Sequence, residues 1–268
     1  MAETGAQTGS RVAGRGRTRK ADRRRQILSE LKLRPHLRIS QLARRFNVST
    51  ETVRRDIDAL ADEGLVARDH GGATAPVQGR YPGFEERNRA RIEERERIGI
   101  RAAELIRDGE TVMIDSGSTT VQLARALVAR GTQCTVLTNS IAIALTIGHG
   151  APDVLLCPGT YLPEEAAVIG TETLEYLNRF NVDHCMIGAS GLSADGPSET
   201  VQGFAAVKRV MLGRARQRHL LIDSQKFGRK GLARVGELAD LDTVVVDRRP
   251  AGDLLAALRA ANVAILVA

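Results

Sequence analysis

Short apolar strand patterns alternate with helical patterns over most of this chain. Runs of Val, Ile and Leu, such as residues 111–115 and 243–246, are separated by segments with helical spacing, such as residues 119–129 and 204–216. Strands that are joined through helices run parallel, and a parallel sheet needs apolar cover on both faces. The sequence therefore predicts an α/β domain with a largely parallel sheet over residues 91–268.

The first quarter of the chain has another pattern, with three short helices followed by a hairpin. Apolar residues recur at helical spacing in one helix that starts near Asp22, in a second that we expect Ser40 to cap, and in a third that we expect Ser49 to cap. The glycine pair at 71–72 then separates two short strand patterns. Three helices and a hairpin predict a winged helix-turn-helix over residues 20–75.

Positive charge is concentrated in this first part. Residues 1–74 hold 16 Lys and Arg against 9 Asp and Glu, whereas the other 194 residues hold 23 of each, so the net charge of +7 comes from the first quarter. A basic region joined to a neutral one favours a polyanion binder attached to a second function. A solubilising tail is the alternative, because eight of the cations lie between Arg11 and Arg25.

The remaining segments complete the organisation. Residues 1–19 lack periodicity and are predicted to be a disordered basic tail, and residues 76–90, rich in Pro and Gly, a linker. No apolar run approaches the roughly 18 residues of a membrane span, and no signal-peptide pattern opens the chain, so we expect a cytoplasmic protein without a membrane partner. The cysteines show no metal-ligand spacing and are predicted to be buried thiols: Cys134, Cys157 and Cys185.

The third helix carries the clearest indication of function. Val53 and Ile57 fall on one face of it, whereas Arg55 points to the opposite side and Arg54 lies between. A recognition helix presents short polar groups and Arg to base edges and phosphates, so we expect Arg55 to read a guanine and Arg54 to contact a phosphate. An ordinary solvated helix face is the alternative. We expect DNA contacts from Ser49, Thr50, Thr52, Arg54 and Arg55, and on the wing from Arg68 and His70.

At these residues the chain resembles the DeoR family of bacterial transcriptional regulators. The family signature runs from an Arg through two spaced aliphatics to a Ser, and then through Thr-aliphatic-Arg-Arg-Asp-aliphatic. The segment from Gly64 to Ala73 is also similar to the wing of the family. The signature positions are filled here by Arg23, Ile27, Leu31, Ser49, Thr52, Val53, Arg54, Arg55, Asp56 and Ile57.

The resemblance continues from about Phe84 to Ala268. It implies that the α/β domain is similar in fold to ribose-5-phosphate isomerase and the coenzyme A transferases, and that it senses an effector. Members of the family typically repress genes for sugar uptake and catabolism, and a sugar phosphate releases them. The resemblance therefore implies a repressor more than an activator.

Residues 115–120 form a loop between a strand and a helix that is suited to an anion. Gly117 lets the backbone approach a ligand, and hydroxyl groups surround the helix N-terminus. A plain capped turn is the alternative, but the loop resembles the phosphate loop of the isomerases. It matches neither dinucleotide nor ATP motifs. With the neighbouring strand ends, the expected effector-binding residues are Ser116, Gly117, Ser118, Thr119, Thr120, Thr138, Asn139, Gly188, Ser190 and Lys226.

Two positions depart from the family pattern. Pro158 stands where the family usually has Gly, and Ser190 where it usually has Asp. The related isomerases need that Asp, a Lys-Gly-Gly-Gly run and a nearby Glu. No such run follows here, and neither Glu199 nor Asp195 has an evident acid–base partner in the sequence. We therefore expect no enzyme activity and no catalytic residue. The alternatives are a sugar-phosphate isomerase or transferase-like enzyme with a DNA-binding appendage, and a winged helix that contacts proteins.

The combined expectation is a transcriptional regulator that binds double-stranded operator DNA and is released by a phosphorylated sugar. Symmetric reading of DNA half-sites favours a homo-oligomer, either a dimer or a tetramer. We expect no cofactor and no metal.

Overall fold

The computed structural model divides the chain into two compact units, residues 1–80 and 81–268. The predicted tail lies outside the described residues, and so does the predicted linker apart from Phe84 and Arg87. Among the described residues, no helix combines the length and apolar character that crossing a membrane requires. The structure describes residues 20–31, 36–62, 66–69, 72–74, 84, 87, 91–148 and 150–268.

The first unit contains the predicted helices and hairpin. Its elements are α1 (Lys20–Leu31), β1 (His36–Arg38), α2 (Ile39–Phe46), α3 (Thr50–Asp62), β2 (Ala67–Asp69) and β3 (Gly72–Thr74). The hairpin strands β2 and β3 are antiparallel, and β1 pairs with the other side of β3. Strand β1 was not predicted, because a three-residue strand has no measurable periodicity and gains its partner only when the wing folds beside it.

The turn between α2 and α3 is set by two polar residues. Asn47 adopts a left-handed conformation with φ of 51°, which Asn tolerates better than most residues. The Ser49 hydroxyl accepts a hydrogen bond from the Thr52 backbone N–H at 3.1 Å, which confirms Ser49 as a cap. The prediction that Ser40 caps α2 is wrong, because that helix begins at Ile39 and has Arg38 at its N-cap.

The three helices enclose one apolar core and one buried ion pair. Arg23 Nε on α1 donates to Asp56 Oδ2 on α3 at 2.5 Å, and the two residues are 5% and 2% exposed. Arg24 Nε donates to Asp56 Oδ1 at 3.2 Å. The first Arg and the Asp of the sequence signature therefore join two helices inside this unit. The core residues are Ile27, Leu31, Leu37, Leu42, Ala43, Phe46, Val53, Ile57, Leu60 and Val66.

The second unit alternates strands and helices as predicted. Its helices are α4 (Ile92–Ala103), α5 (Ser118–Arg130), α6 (Ile141–Ile147), α7 (Thr171–Leu177), α8 (Gln202–Arg214) and α9 (Gly252–Ala260). Its strands are β4 (Thr111–Ile114), β5 (Thr135–Thr138), β6 (Asp153–Leu156), β7 (Thr160–Leu162), β8 (Ala167–Ile169), β9 (Val182–Ile187), β10 (Gly191–Ser193), β11 (Gly196–Glu199), β12 (Ala215–Ile222), β13 (Ala233–Arg234), β14 (Thr243–Val246) and β15 (Ala264–Val267).

A seven-stranded sheet in the order β15-β14-β12-β9-β4-β5-β6 forms the centre of this unit, and all its pairings are parallel. Successive residues of β4 enter opposite cores: Met113 packs in the cluster that includes residues of α7, α8 and α9, whereas Val112 and Ile114 pack in the cluster of α4, α5 and α6. Helices therefore cover both faces of the sheet. All three cysteines are buried and free, as predicted.

Two small sheets outside this frame were not predicted. Strands β7 and β8 form an antiparallel hairpin around a short turn, Pro163–Glu165, and β10, β11 and β13 form a second sheet. The hairpin is attached to the end of β5, because the Val168 N–H donates to the Asn139 carbonyl and the Ile141 N–H to the Ala166 carbonyl, both at 2.8 Å. The hairpin therefore lies at the carboxyl edge of the large sheet.

Candidate functional site

The outer face of α3 presents two adjacent arginines. Arg54 and Arg55 are exposed, whereas Val53 and Ile57 are buried on the opposite face. The Arg55 side chain is 79% exposed, and its Nε donates to Glu51 Oε1 at 3.3 Å. An exposed pair one helical turn apart contributes little free energy, so Arg55 can exchange this partner for another acceptor.

Small hydroxyl groups gather at the N-terminus of the same helix. Ser49 and Thr50 are exposed, and the Ser49 and Thr52 hydroxyls lie 2.9 Å apart. The two expected wing contacts are not on this helix. Arg68 belongs to β2, and only its backbone is described. His70 falls outside the described residues. The described part of the DNA-contact prediction thus falls on one helix face and the turn before it.

A crevice of about 420 Å³, part of it open to solvent, lies against the N-terminus of α5, and we call it the α5 crevice. It collects strand ends from the carboxyl edge of the sheet. Six of the ten expected effector-binding residues line it: Ser116, Gly117, Ser118, Thr119, Gly188 and Lys226. The other lining residues are Arg87, Glu165, Ala189, Glu199, Thr200, Val201, Phe204 and Lys208.

The start of α5 leaves room for a ligand. Gly117 is the N-cap of this helix, and no side chain caps it. The first-turn N–H groups therefore keep hydrogen-bonding capacity for an anion, which the helix dipole also favours. Gly117 is extended, with φ of −177°, so its use here is space: a Cβ would come within 3.2 Å of the Thr120 hydroxyl.

The other four expected residues lie behind the lining and hold it in place. The Thr120 hydroxyl donates to the Asp115 carbonyl at 2.9 Å, and the Thr138 hydroxyl to the Ile114 carbonyl at 2.6 Å. Asn139 Nδ2 donates to the Val168 carbonyl at 2.9 Å, and the Ser190 hydroxyl to Glu199 Oε2 at 2.5 Å. The structure thus places these residues as supports of the loops and not as crevice walls.

Lys208 is a residue of the crevice that sequence reasoning missed. It lies on α8 with 2% of its surface exposed, and its Nζ contacts Asp115 Oδ2 and, at 2.9 Å, Glu199 Oε1. One signal was available, since Lys208 stands in the inward stripe of α8 between Phe204 and Met211. A Lys on the apolar face of a helix is rare unless a buried carboxylate pairs with it.

Burial and pairing move the pKa values of this cluster in different directions. Burial raises the pKa of Asp115 above its usual value despite the opposing charge of Lys208. Burial acts in the same direction on Glu199, but the charge of Lys208 and the Ser190 hydrogen bond outweigh it and lower its pKa. For Lys208, burial favours the neutral amine, but the two carboxylates raise its pKa, so Lys208 stays protonated.

Lys226 places a second ammonium group in the α5 crevice. It ends a short turn, Ser224–Lys226, that follows β12, and its Nζ donates to the Ala189 carbonyl at 2.7 Å. An ammonium has three donors, so this bond leaves capacity for a ligand. The turn itself is held by Asp247, whose Oδ1 accepts from the Ser224 N–H at 2.6 Å.

The departures from the family pattern have local roles. Ser190 donates to Glu199, whereas an Asp at this position would set a second carboxylate beside it. The Pro158 carbonyl accepts from the Thr173 hydroxyl at 2.6 Å, which ties β6 to α7. The acidic residues do have partners that the sequence did not reveal: Lys208 for Glu199, and Lys230 for Asp195. Within the described ranges, no cluster of His, Cys, Asp and Glu is arranged to hold a metal ion.

Comparisons with known proteins agree with both units. A family model of the DeoR-like helix-turn-helix domain matches residues 23–78, and one of the DeoR C terminal sensor domain matches residues 90–248. The glycerol-3-phosphate regulon repressor of Escherichia coli is 30% identical over 226 residues, which cover 84% of this chain and 89% of that protein. The transcriptional repressor GlcR of Bacillus subtilis is 33% identical over 227 residues, covering 84% and 87%.

Among solved structures, ribose 5-phosphate isomerase A of Methanocaldococcus jannaschii superposes with a TM-score of 0.40 and 14% identity. The match covers 52% of this chain and 55% of that one. A likeness at this level bears on neither activity nor ligand. The family matches and the curated relatives are decisive: the chain belongs to the DeoR family of transcriptional regulators, with a helix-turn-helix domain followed by a sensor domain.

Proposed function

We propose that this regulator is a repressor that a phosphorylated sugar releases from operator DNA. The observation that carries the proposal is the α5 crevice, where an uncapped helix N-terminus and the Lys226 ammonium face the same space. Helix N-termini and lysine charges both favour phosphate groups.

The effector contacts follow from the lining. Ser116, Gly117, Ser118 and Thr119 would surround the phosphate group, with Lys226 as its counter-charge. Gly188 leaves space for the remainder of the molecule, since a Cβ there would be 3.9 Å from its nearest backbone neighbour, the Leu221 carbonyl. The residues behind the lining would act by holding these loops: Thr120, Thr138, Asn139 and Ser190.

The DNA contacts would come from α3 and the wing. Arg55 would read a base edge, because it stands on the face of α3 opposite the buried Val53 and Ile57, and Arg54 would contact a phosphate. Backbone and hydroxyl groups at Ser49, Thr50 and Thr52 would fix the helix on the DNA backbone. Arg68 and His70 are proposed as wing contacts on sequence grounds alone.

The relatives supply the class of target genes. Both relatives described above carry the name of repressor, and one is named for the glycerol-3-phosphate regulon. By similarity we infer that this chain represses genes of sugar or carbohydrate catabolism. Symmetric operators require paired DNA-binding units, so the proposed regulator is a dimer or tetramer.

An isomerase or transferase carrying a DNA-binding domain is the alternative that the chemistry of the crevice must exclude. Lys208 is bound to both nearby carboxylates, and an ion-paired carboxylate is a weaker general base than a free one. Incubation of the full chain with pentose and hexose phosphates should therefore give no product. Turnover that is lost on Glu199→Gln substitution would favour the enzyme.

Operator binding is the direct test of the regulator. Duplexes selected from a random pool by the full chain should share one sequence, and their affinity should fall steeply with added salt, because Lys and Arg contacts release counterions. A shared sequence and a steep salt slope support the proposal. Selection of no common sequence, with binding that is insensitive to salt, contradicts it and favours a winged helix that contacts proteins.

A further inference from the structure

One lining residue of the α5 crevice lies N-terminal to the stretch that matches the sensor model. Arg87 lies between the stretches that match the helix-turn-helix model, residues 23–78, and the sensor model, residues 90–248. It nevertheless lines the crevice and is 8% exposed. The crevice thus includes a residue near the start of the second unit, N-terminal to the residues that match the sensor model.

In the structure, Arg87 is paired with a carboxylate of the sensor domain. Arg87 Nη1 and Nη2 donate to Glu165 Oε1 and Oε2 at 3.0 and 2.5 Å, and the side chains are 9% and 14% exposed. This two-bond fork is the geometry in which a guanidinium also binds a phosphate. Glu165 lines the same crevice, so an incoming anion and Glu165 meet the same donors.

The main chain of Arg87 is linked through Arg95 to the turn that carries Lys226. Arg95 on α4 donates from Nη1 to the Arg87 carbonyl and from Nη2 to Asp223 Oδ2 at 3.5 Å. Asp223 is the N-cap of the turn that carries Lys226. A ligand that contacts both Lys226 and Arg87 would therefore act on one connected set of hydrogen bonds.

Glu165 sits on an element that can respond to the loss of this contact. It ends the turn of the β7–β8 hairpin, and Ala166, which follows it, has φ of 47°. A residue with a side chain is strained in this conformation and keeps it only when its surroundings hold it. The bidentate contact with Arg87 is one of the bonds that hold this turn.

We propose that Arg87 is an effector-binding residue and that Glu165 is an internal competitor which occupies it in the absence of effector. A phosphate group in the α5 crevice displaces Glu165 from Arg87 and frees the β7–β8 hairpin from the start of the second unit. The inference rests on the proposed function of the crevice and adds its regulation: exchange of one anion for another at Arg87 transmits occupancy to the chain that leads to the DNA-binding unit.

The test uses inorganic phosphate and the full chain at constant ionic strength. Glu165→Gln removes the competing charge and should tighten phosphate binding about tenfold by calorimetry, as expected when a charge-assisted contact becomes a neutral one. Glu164→Gln is the matched control, because Glu164 is exposed in the same turn and does not line the crevice. Arg87→Gln should weaken phosphate binding by a similar factor.

A second measurement distinguishes displacement of Glu165 from Arg87 from simple repulsion between the Glu165 carboxylate and phosphate. The chain has no Trp, so Tyr161→Trp on the half-exposed outer strand of the hairpin gives a single fluorescent reporter. If phosphate displaces Glu165, phosphate should shift the emission of the Trp at position 161. Glu165→Gln should then show the shifted emission without phosphate. This reading stands even when Arg87→Gln does not fold.

The outcomes distinguish this inference from the function on which it rests. If the wild type, Glu165→Gln and Glu164→Gln all bind phosphate with the same affinity, Glu165 does not compete for Arg87. The α5 crevice is then still a phosphate site. Tighter binding in Glu165→Gln without a change in the free emission of Trp at 161 overturns the competition as well. If neither the wild type nor any variant binds phosphate, the proposed function of the crevice itself is rejected.

Discussion

Each unit of this regulator contains a buried cluster of charges, and the two clusters differ in what lies next to them. In the first unit, Asp56 is enclosed by Arg23 and Arg24 between α1 and α3, and its charge serves to join those helices. In the second, Lys208 joins Asp115 and Glu199 directly beneath the α5 crevice. A buried ion pair can thus be a structural link in one domain and the floor of a binding site in another.

The outward residues of the two units differ in the same way. Arg54 and Arg55 on α3 are exposed, whereas Arg87 and Lys208 in the α5 crevice are held in ion pairs with Glu165 and Glu199. DNA binding can therefore begin without rearrangement of α3. An anion that reaches Arg87 would have to replace its internal contact with Glu165, and such an exchange is suited to control.

The largest effect is expected at Lys208. Lys208→Met leaves two buried carboxylates without their common counter-charge, and breaking such a pair costs roughly 3–5 kcal/mol. Chemical denaturation of the full chain should show this loss in the transition of the sensor unit, together with loss of phosphate binding. A transition and a phosphate affinity like those of the wild type would show that the cluster is incidental to the crevice.

A smaller loss is expected from Asp56→Asn, since an amide still accepts a hydrogen bond from one of the two arginines. We expect about 2–3 kcal/mol of destabilisation, confined to the first unit. Operator affinity should fall while phosphate affinity stays unchanged, the reverse of Lys208→Met. If both variants alter both affinities alike, the two clusters do not serve separate units.

Protonation of a buried histidine should act on the sensor unit alone. His219 lies 3.1 Å from His184 Nδ1 through its Nε2, and burial, reinforced by the charge of His184, lowers its pKa from 6.5 to about 4. A depressed pKa stabilises the folded state above pH 6.5, and this stability is lost as pH falls toward 4.

Between pH 7 and pH 5 the expected loss is about 2 kcal/mol, because the unfolded histidine gains a proton that the folded one rejects. Thermal unfolding at the two pH values measures it, and His219→Asn should remove most of the difference. An equal pH dependence in this variant would assign the effect to other groups.

The smallest effect on stability is expected on the exposed face of α3. Arg55→Ala should change the free energy of unfolding by less than about 0.5 kcal/mol. It should nevertheless reduce discrimination between operator and random DNA by roughly 1–3 kcal/mol, whereas Arg54→Ala weakens both about equally. Competition binding with the two DNAs measures the ratio. An equal loss on both DNAs in Arg55→Ala would remove its base-reading role.

In both units, the sequence predicts features that depend on neighbouring residues better than contacts between distant residues. The outward face of α3 and the loop at 115–120 are local patterns, so helical spacing and strand ends were enough to place them. The pairs Arg23–Asp56 and Arg87–Glu165 join residues 33 and 78 positions apart, and such contacts exist only after distant elements fold together. Lys208 was visible as an inward Lys, but its partners were not.

Local sequence patterns also did not predict how deeply the polar residues at the strand ends are buried. The strand ends at Thr138 and Asn139 were expected in the crevice because they close the same edge of the sheet. The structure shows both fully buried, with hydrogen bonds that hold neighbouring loops. Whether a polar residue at a strand end faces a ligand or a loop depends on what covers that edge, and here the unpredicted β7–β8 hairpin covers it.

We propose above that a phosphorylated sugar controls operator binding through the α5 crevice. Fluorescence anisotropy of labelled operator, titrated with phosphorylated sugars and their unphosphorylated counterparts, tests it directly. Lys226→Ala is the informative variant, and Lys230→Ala is its control, because Lys230 is exposed and pairs with Asp195. We expect a phosphorylated sugar to release the operator, at a concentration that rises at least about tenfold in Lys226→Ala and not in Lys230→Ala. Release by an unphosphorylated sugar alone, or equal release of both variants, would contradict it.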